Sequence, residues 1–79
     1  MKITVRYFAI LRAESGKDFE ELETNAETPR ELYAELQQRY KFSMPVESLA
    51  ASVDTSITTL DAHLSEGSEV VFLPPVAGG

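Results

Sequence analysis

Hydrophobic and polar residues alternate in several short stretches of the chain, and each stretch predicts a β-strand with one buried face. In the first stretch, Ile3, Val5 and Tyr7 fall on the buried face. Phe8 then falls on the outward face, at the end of that strand. The other predicted strands span residues 18–24, 49–53, 57–60 and 69–73. The pattern therefore predicts a sheet with one covered face and one open face.

The second predicted strand is rich in acidic residues. Glu20 falls on the same face as Leu22, whereas Glu21 and Glu23 fall on the other face. Charges on both faces are typical of an edge strand, where they discourage pairing with other chains. We interpret the three carboxylates as a solvated surface and not as paired catalytic acids.

One long helix is predicted after Thr28. The Thr28 side chain can cap the helix, Glu31 can close a capping box, and Pro29 stands where a missing N–H costs nothing. The apolar stripe of this helix consists of Leu32, Tyr33, Leu36 and Tyr40. With a shorter helical turn over 9–14, these elements predict an α+β fold, in which one main helix packs on one face of a mixed sheet.

The chain ends in a tail, residues 74–79, which follows a predicted domain of residues 1–73. Pro74 and Pro75 have no N–H to offer a sheet and keep the exit extended. Six extended residues reach roughly 20 Å. Gly78 and Gly79 carry no side chain and can enter a narrow channel. We therefore expect the tail to present an unhindered α-carboxylate on Gly79 to a partner.

An apolar patch is predicted at the root of this tail. If the first and last strands pair in parallel, they end at the same edge of the sheet, and Phe8 lies beside Leu73. Exposed aromatic and aliphatic groups in one cluster typically mark an interface. The predicted interface residues are Phe8, Ile57, Val71, Leu73, Pro74, Pro75 and Val76.

Composition narrows the class of protein and the class of partner. The 79 residues carry a net charge of −6 and contain no cysteine, which excludes disulfides, thiolate metal sites and a persulfide on a side chain. An acidic surface disfavours nucleic acid and suits a basic partner surface. Because no apolar run approaches ~18 residues and no signal peptide is recognisable, we expect a cytoplasmic protein without membrane or nucleic-acid partners.

Side-chain catalytic sites are poorly supported. His63 is the single histidine. A triad of this histidine with Asp61 and a serine, Ser65 or Ser68, would crowd one surface loop. These residues are also too few for a tetrahedral zinc site, and no phosphate-binding glycine motif occurs. The reactive group that is left is the Gly79 carboxylate, which adenylation by a partner would activate.

Three segments resemble a known protein family. The segments 3–9 (ITVRYFA), 50–54 (AASVD) and above all 67–79 (GSEVVFLPPVAGG) look like the small, sulfur carrier subunit of molybdopterin synthase. The likeness covers the whole length, and its most specific part is the Pro-Pro-Val-x-Gly-Gly ending. The departures from the family pattern, all in predicted turns, are Asp54, His63 and Ser68.

The resemblance implies a ubiquitin-like β-grasp fold and a function. In that family a ubiquitin-activating-like enzyme uses ATP to adenylate the C-terminal glycine, which then takes sulfur from a donor protein and becomes a thiocarboxylate. The large synthase subunit uses this sulfur to build the dithiolene of molybdopterin, within a heterotetramer. By this likeness Gly79 is the reactive position with Gly78 beside it. Catalytic side chains would belong to the large subunit, and this chain would bind no cofactor or metal.

Two other functions stay open from the sequence. Sulfur carriers of the thiamine and tRNA-thiolation pathways share the fold and the Gly-Gly end, although they commonly lack Pro-Pro at 74–75. A ubiquitin-like modifier would instead conjugate Gly79 to a lysine. What the carboxylate becomes, a thioacid or an isopeptide bond, distinguishes a carrier from a modifier.

Overall fold

The helices and strands follow one another in the predicted order. The computed structural model describes residues 1–75. Its elements are β1 (Lys2–Arg6), α1 (Ala9–Ser15), β2 (Phe19–Glu23), α2 (Pro29–Tyr40), β3 (Ala50–Val53), β4 (Ser56–Thr58) and β5 (Glu69–Leu73). A short 3₁₀ helix, Val46–Ser48, precedes β3. The short strand β4 ends earlier than the predicted range 57–60.

The sheet has β5 at its centre and β2 at one edge. Its strand order is β2-β1-β5-β3-β4. β1 and β5 are parallel, with Val5 opposite Val70, and the other neighbouring pairs are antiparallel. The edge position of β2 and the parallel pairing of the first and last strands are both confirmed. Because parallel strands point the same way, β1 and β5 end at the same edge of the sheet.

Burial confirms the predicted alternation in β1. Ile3 and Val5 are fully buried and Tyr7 is 2 % exposed, whereas 48 % of Phe8 is exposed. The core on this face of the sheet also contains the apolar stripe of α2, which includes Leu32, Tyr33 and Leu36. The sheet and α2 therefore form the two predicted layers. Within residues 1–75, no helix has both the length and the hydropathy to cross a membrane.

The start of α2 has the predicted cap with a shifted capping box. The Thr28 hydroxyl accepts a hydrogen bond from the Glu31 N–H at 3.2 Å. The Glu31 carboxylate accepts one from the N–H of Glu27 at 2.8 Å, instead of the N–H of Thr28. Pro29 occupies the first helical position, as predicted. The box still satisfies two backbone donors at the helix start, one of which belongs to the residue before the cap.

Glu20 contradicts the prediction of a solvated acidic surface. Its side chain is only 12 % exposed. It accepts hydrogen bonds from Tyr7 Oη at 2.5 Å, Tyr40 Oη at 2.7 Å and Lys17 Nζ at 3.1 Å. Because Glu20 pairs with Val5, it lies on the inner face of the sheet, where hydroxyls from the segment after β1 and from α2 surround it. The other two acidic residues of β2 are exposed, as predicted.

These contacts change the ionisation of Glu20. Burial by itself opposes the charge, but the hydrogen bonds from Tyr40, Tyr7 and Lys17 outweigh it and lower the pKa of the Glu20 carboxyl below its ordinary 4.5. Burial and the hydrogen bond to Glu20 raise the pKa of the Tyr7 phenol, so this phenol stays a donor. The carboxylate is thus a charged acceptor that joins β2 to β1 and α2.

We expect Glu20→Gln to lower the free energy of unfolding at pH 7 by about 1–3 kcal/mol, because bonds to a charged acceptor become bonds to a neutral amide. Folding lowers the pKa of Glu20, so its contribution is present above the unfolded value of 4.5 and is lost as the pH falls through the folded value. Urea unfolding at pH 7 and at successively lower pH measures both effects. The exposed neighbour provides the control, since Glu21→Gln should change stability by less than about 0.5 kcal/mol. Wild-type stability of Glu20→Gln at pH 7 would contradict the role of the network.

The turn between β3 and β4 contains backbone strain. Its two central residues, Asp54 and Thr55, have φ of 51° and 73°. Positive φ at both positions is the requirement of a type I′ hairpin turn. The Asp54 carboxylate joins the turn to β5, because its Oδ1 accepts a hydrogen bond from the Glu69 N–H at 2.8 Å. The β-branched side chain of Thr55 is poorly suited to this conformation.

Thr55→Gly should therefore raise the free energy of unfolding by about 1 kcal/mol, since glycine adopts positive φ without the steric cost that threonine bears. Thermal unfolding of the two proteins measures the difference. Asp54→Gly is the matched control: it also relieves a positive φ, but it removes the hydrogen bond to Glu69 and should gain less. A lower melting temperature for Thr55→Gly would show that the threonine makes a stabilising contact in the turn.

Candidate functional site

An apolar groove lies where β1 and β5 end. Its volume is about 590 Å³. The groove is lined by Phe8, Ala9, Ile10, Met44, Leu73, Pro74 and Pro75. The predicted proximity of Phe8 and Leu73 is therefore confirmed, and the first two residues of the tail form part of the wall. That these residues contact a partner stays a prediction.

The backbone between β1 and α1 orients the aromatic wall of the groove. Phe8 is extended, with φ −130° and ψ 154°. Ala9, the first residue of α1, has a φ of 52°, in the left-handed region. The chain thus turns sharply after Phe8, which leaves its ring half exposed beside the tail while Tyr7 is buried.

The other predicted patch residues lie on the open face of the sheet. Arg6, Val71, Ser52 and Ile57 are successive partners in one row across β1, β5, β3 and β4. Val71 is half-buried, and Ile57 is 76 % exposed. Two strand spacings, about 10 Å, separate Val71 from Ile57. The structure therefore brings Phe8, Leu73, Pro74 and Pro75 together, whereas Ile57 lies apart from the groove.

Phe19 extends the same row at the opposite edge and was not among the predicted interface residues. It pairs with Arg6 and is 55 % exposed. The Arg6 guanidinium lies 5.4 Å from the centre of the Phe19 ring and also bonds the Glu69 carboxylate at 3.0 Å. Because Phe19 falls on the outward face in the alternating pattern of β2, the sequence could have indicated an exposed aromatic residue at this position.

Met44 also lines the groove. Met44 lies in the segment between α2 and β3 and packs against the core. Its carbonyl oxygen accepts hydrogen bonds from Tyr33 Oη at 2.7 Å and Gln37 Nε2 at 3.3 Å. Ser43 is joined to α1, because its N–H and hydroxyl donate to Glu14 at 3.1 and 2.8 Å. The position of Met44 is thus set by contacts with both helices.

Two side chains of the hypothetical catalytic triad, Asp61 and Ser68, are hydrogen-bonded to groups other than His63. The Asp61 carboxylate accepts two hydrogen bonds from the Arg30 guanidinium, at 2.8 and 3.1 Å. The hydrogen bonds from Arg30 lower the pKa of Asp61. The Ser68 hydroxyl accepts a hydrogen bond from the Ser65 N–H at 3.0 Å. The described residues, 1–75, contain no group of three or more His, Asp or Glu side chains placed to hold a metal ion.

Three predicted site residues, Val76, Gly78 and Gly79, lie outside the described residues. They follow Pro75 directly, and four residues lead from Pro75 to Gly79. The groove therefore marks the point at which the tail leaves the domain.

Comparison with known proteins identifies the family. The ThiS family profile matches residues 5–79. The molybdopterin synthase sulfur carrier subunit of Escherichia coli (strain K12) is 32 % identical over 80 residues, which cover 98 % of this chain and 99 % of that protein.

Solved structures show the same fold. The molybdopterin converting factor subunit 1 from Pyrococcus furiosus superposes with a TM-score of 0.77 at 29 % identity, over 95 % of this chain and 98 % of that chain. A complex of subunits 1 and 2 of the molybdopterin-converting factor from Helicobacter pylori 26695 contains a chain that matches at 25 % identity, with a TM-score of 0.68 and full coverage of both chains. The β-grasp fold implied by the resemblance is confirmed. On the match over 5–79, this chain belongs to the ThiS family.

Proposed function

We propose that this chain is the sulfur carrier subunit of a molybdopterin synthase and carries sulfur as a thiocarboxylate on Gly79. The observation that carries the proposal is the match to the Escherichia coli sulfur carrier subunit over nearly the full length of both proteins. The likeness to molybdopterin converting factor subunit 1 from Pyrococcus furiosus supports it. The Pro-Pro-Val-Ala-Gly-Gly ending after β5 suits this function.

The proposed chemistry uses the main-chain carboxylate of Gly79. An activating enzyme joins this carboxylate to the α-phosphorus of ATP, and pyrophosphate leaves. Sulfur at the oxidation level of sulfide, supplied by a donor protein, then attacks the acyl carbon, and AMP leaves with one carboxylate oxygen. The product is a thiocarboxylate, and no side chain of this protein needs to react. ATP is bound by the activating partner, and this chain holds no cofactor.

The partner that consumes the sulfur is the large synthase subunit. The complex of subunits 1 and 2 from Helicobacter pylori, one chain of which matches this protein, supports a two-subunit assembly. We place the interface on the predicted residues Phe8, Ile57, Val71, Leu73, Pro74, Pro75 and Val76. The catalytic side chains belong to the large subunit, and the reaction takes place in the cytoplasm. This chain contributes the reactive carbonyl and the apolar root that directs the tail.

Intact mass spectrometry tests the proposal. The purified chain is incubated with the activating enzyme of its own organism, ATP and a sulfur donor. The mass should rise by the difference between one sulfur and one oxygen atom, and fragmentation should place the change on Gly79. A chain that lacks Gly79 is the control and should keep its mass, because the residue that normally reacts is absent.

Other outcomes would contradict the proposal in distinct ways. Sulfur on an internal residue would remove Gly79 as the covalent site. A ladder of larger species joined through lysine would indicate a protein modifier instead of a sulfur carrier. A thiocarboxylate that the large synthase subunit does not consume would indicate a carrier for another sulfur pathway.

A further inference from the structure

The chain contains only a few amines that could attack an activated carboxyl group. They are the N-terminal amine and the side chains of Lys2, Lys17 and Lys41. An activated Gly79 carbonyl is open to a neutral amine as well as to sulfur. Attack within one chain therefore requires an amine that lies within reach of the tail and that no other group keeps from reacting.

The length of the tail limits which amines can meet Gly79. Four residues lead from Pro75 to Gly79, and they span at most about 14 Å when fully extended. A lysine side chain adds about 6 Å between its Cα and Nζ atoms. A lysine can therefore reach the Gly79 carbonyl only if its Cα atom lies within about 20 Å of Pro75.

The two amines at the start of β1 lie beyond this reach. The parallel register of β1 and β5 places Lys2 about six residues, roughly 20 Å, before the end of β5 at Leu73. Pro75 follows beyond that end, which makes the distance from Lys2 longer still. The N-terminal amine lies one residue further away and donates a hydrogen bond to the Thr24 carbonyl at 2.9 Å.

Lys17 lies at the same end of the sheet as the tail, but its amine is engaged. It precedes Phe19, which pairs with Arg6 at the end of β1. Its Nζ donates hydrogen bonds to Tyr40 Oη at 2.9 Å and to Glu20 Oε1 at 3.1 Å. These bonds to Tyr40 and Glu20 raise the pKa of Lys17. The amine is thus held as an ammonium ion, which has no lone pair with which to attack a carbonyl.

Lys41 differs from Lys17 in its surroundings. It caps the C-terminal end of α2, where its N–H donates a hydrogen bond to the Gln37 carbonyl at 2.8 Å. Its side chain is exposed. Within residues 1–75, the Lys41 ammonium group takes part in no ion pair. No carboxylate of the described residues therefore holds this amine in place.

Lys41 also lies close to the root of the tail. Three residues lead from Lys41 to Met44, which lines the groove together with Pro75, and these residues span at most about 11 Å. A sphere with the volume of the groove, about 590 Å³, is about 10 Å across. The true distance from Lys41 to Pro75 is shorter than these two lengths combined, because the left-handed φ of Lys41, 59°, turns the chain out of an extended path. The Lys41 amine is therefore within reach of Gly79.

We propose that Lys41 captures the activated Gly79 carboxyl of its own chain when no sulfur is supplied, which closes residues 41–79 into a loop. The neutral amine attacks the acyl carbon of the adenylate, AMP leaves with one carboxylate oxygen, and the amine gives up a proton to water. The product is an isopeptide bond, and the chain has lost one water in total. This reaction rests on the proposed function, because an activating enzyme must first adenylate Gly79.

A chemically activated terminus tests the reach of Lys41 without an enzyme. The full chain is prepared by intein cleavage as an α-thioester of Gly79 and kept at micromolar concentration and mildly alkaline pH. The intact mass should become that of the free acid less one water. Trypsin cuts after lysine and arginine, and the sequence has neither after Lys41. The loop should therefore appear as a single peptide, residues 40–79, that has lost one water.

Matched lysine variants identify the amine that reacts. Lys41→Arg keeps the charge and should lower the yield of the loop at least about tenfold, because it removes an amine whose effective concentration is of the order of 1 mM. Lys17→Arg and Lys2→Arg should leave the yield unchanged. The yield should also be independent of protein concentration. A loop through Lys17, chains joined to one another in place of a loop, or hydrolysis alone would overturn the proposal.

The enzymatic reaction separates this proposal from the proposed function. With the activating enzyme and ATP but no sulfur donor, the wild-type chain should form the same loop, and its absence would overturn the capture of the adenylate. With the donor present, Lys41→Arg should take up sulfur as the wild-type chain does. A thioester that closes on Lys41, with no sulfur placed on Gly79 by the enzyme, would overturn the proposed function and support the reach of Lys41. Sulfur on Gly79 with a thioester that only hydrolyses would do the reverse.

Discussion

Gly78→Val is expected to reduce the rate of sulfur transfer from Gly79 at least about a hundredfold, the size of effect that misplacing a reacting group by about 1 Å can cause. A β-branched side chain cannot follow glycine through a narrow channel and also restricts the backbone. The melting temperature should not change, since Gly78 lies beyond β5 and the described core. Single-turnover transfer from the preformed thiocarboxylate to the large subunit measures the effect.

The neighbouring residue offers a matched control for this substitution. Ala77→Val adds bulk at a position that already carries a side chain, so it should slow transfer much less than Gly78→Val. Gly78→Ala should fall between the two. Wild-type transfer by Gly78→Val would show that the channel is wide, and the requirement for two glycines would then have no steric basis.

The second large effect is expected at Phe8. Phe8→Ala should weaken binding to the large synthase subunit by about 2 kcal/mol or more, as the loss of a buried aromatic anchor does. It should cost much less folding stability than a core truncation, because 48 % of the side chain is exposed in the free protein. Isothermal titration against the large subunit and thermal unfolding of the isolated chain measure the two quantities.

Phe72 is the matched control for Phe8. It is fully buried, and its ring lies 5.2 Å from that of Tyr33, so Phe72→Ala should cost about 3–5 kcal/mol of folding stability. If Phe8→Ala instead lowers the melting temperature as strongly as Phe72→Ala and leaves the affinity unchanged, Phe8 belongs to the core. The groove would then be no part of the interface.

The local sequence pattern was sufficient to predict which strand residues are buried and where the main helix starts. Side chains alternate along any strand whatever its neighbours, so the burial of Ile3 and Val5 follows from β1 alone. The backbone stays extended to Phe8, so the same alternation predicts the exposure of its ring. The cap of α2 is equally local, because Thr28 reaches a backbone N–H only three residues away. The Pro-Pro-Val-Ala-Gly-Gly tail was likewise recognisable without any tertiary contact.

Glu20 shows where local pattern is insufficient. An acidic residue on a charged strand was predicted to be solvated, yet two tyrosines bury it and hold it ionised. Tyr7 precedes it by 13 residues and Tyr40 follows it by 20, so no periodicity in β2 could indicate the contact. A buried carboxylate is stable only when distant donors meet it, and their meeting depends on the packing of α2 against β1.

The groove at the root of the tail depends on tertiary structure in the same way. Phe8 and Leu73 were predicted to meet, because parallel strands end at one edge. Ile10 and Met44 join them only through the hydrogen bonds that tie the segment after α2 to both helices. Ile57 has the predicted outward phase but lies two strands away from Val71. Spacing along the chain decides which face a side chain occupies, whereas strand order and long-range packing decide which side chains become neighbours.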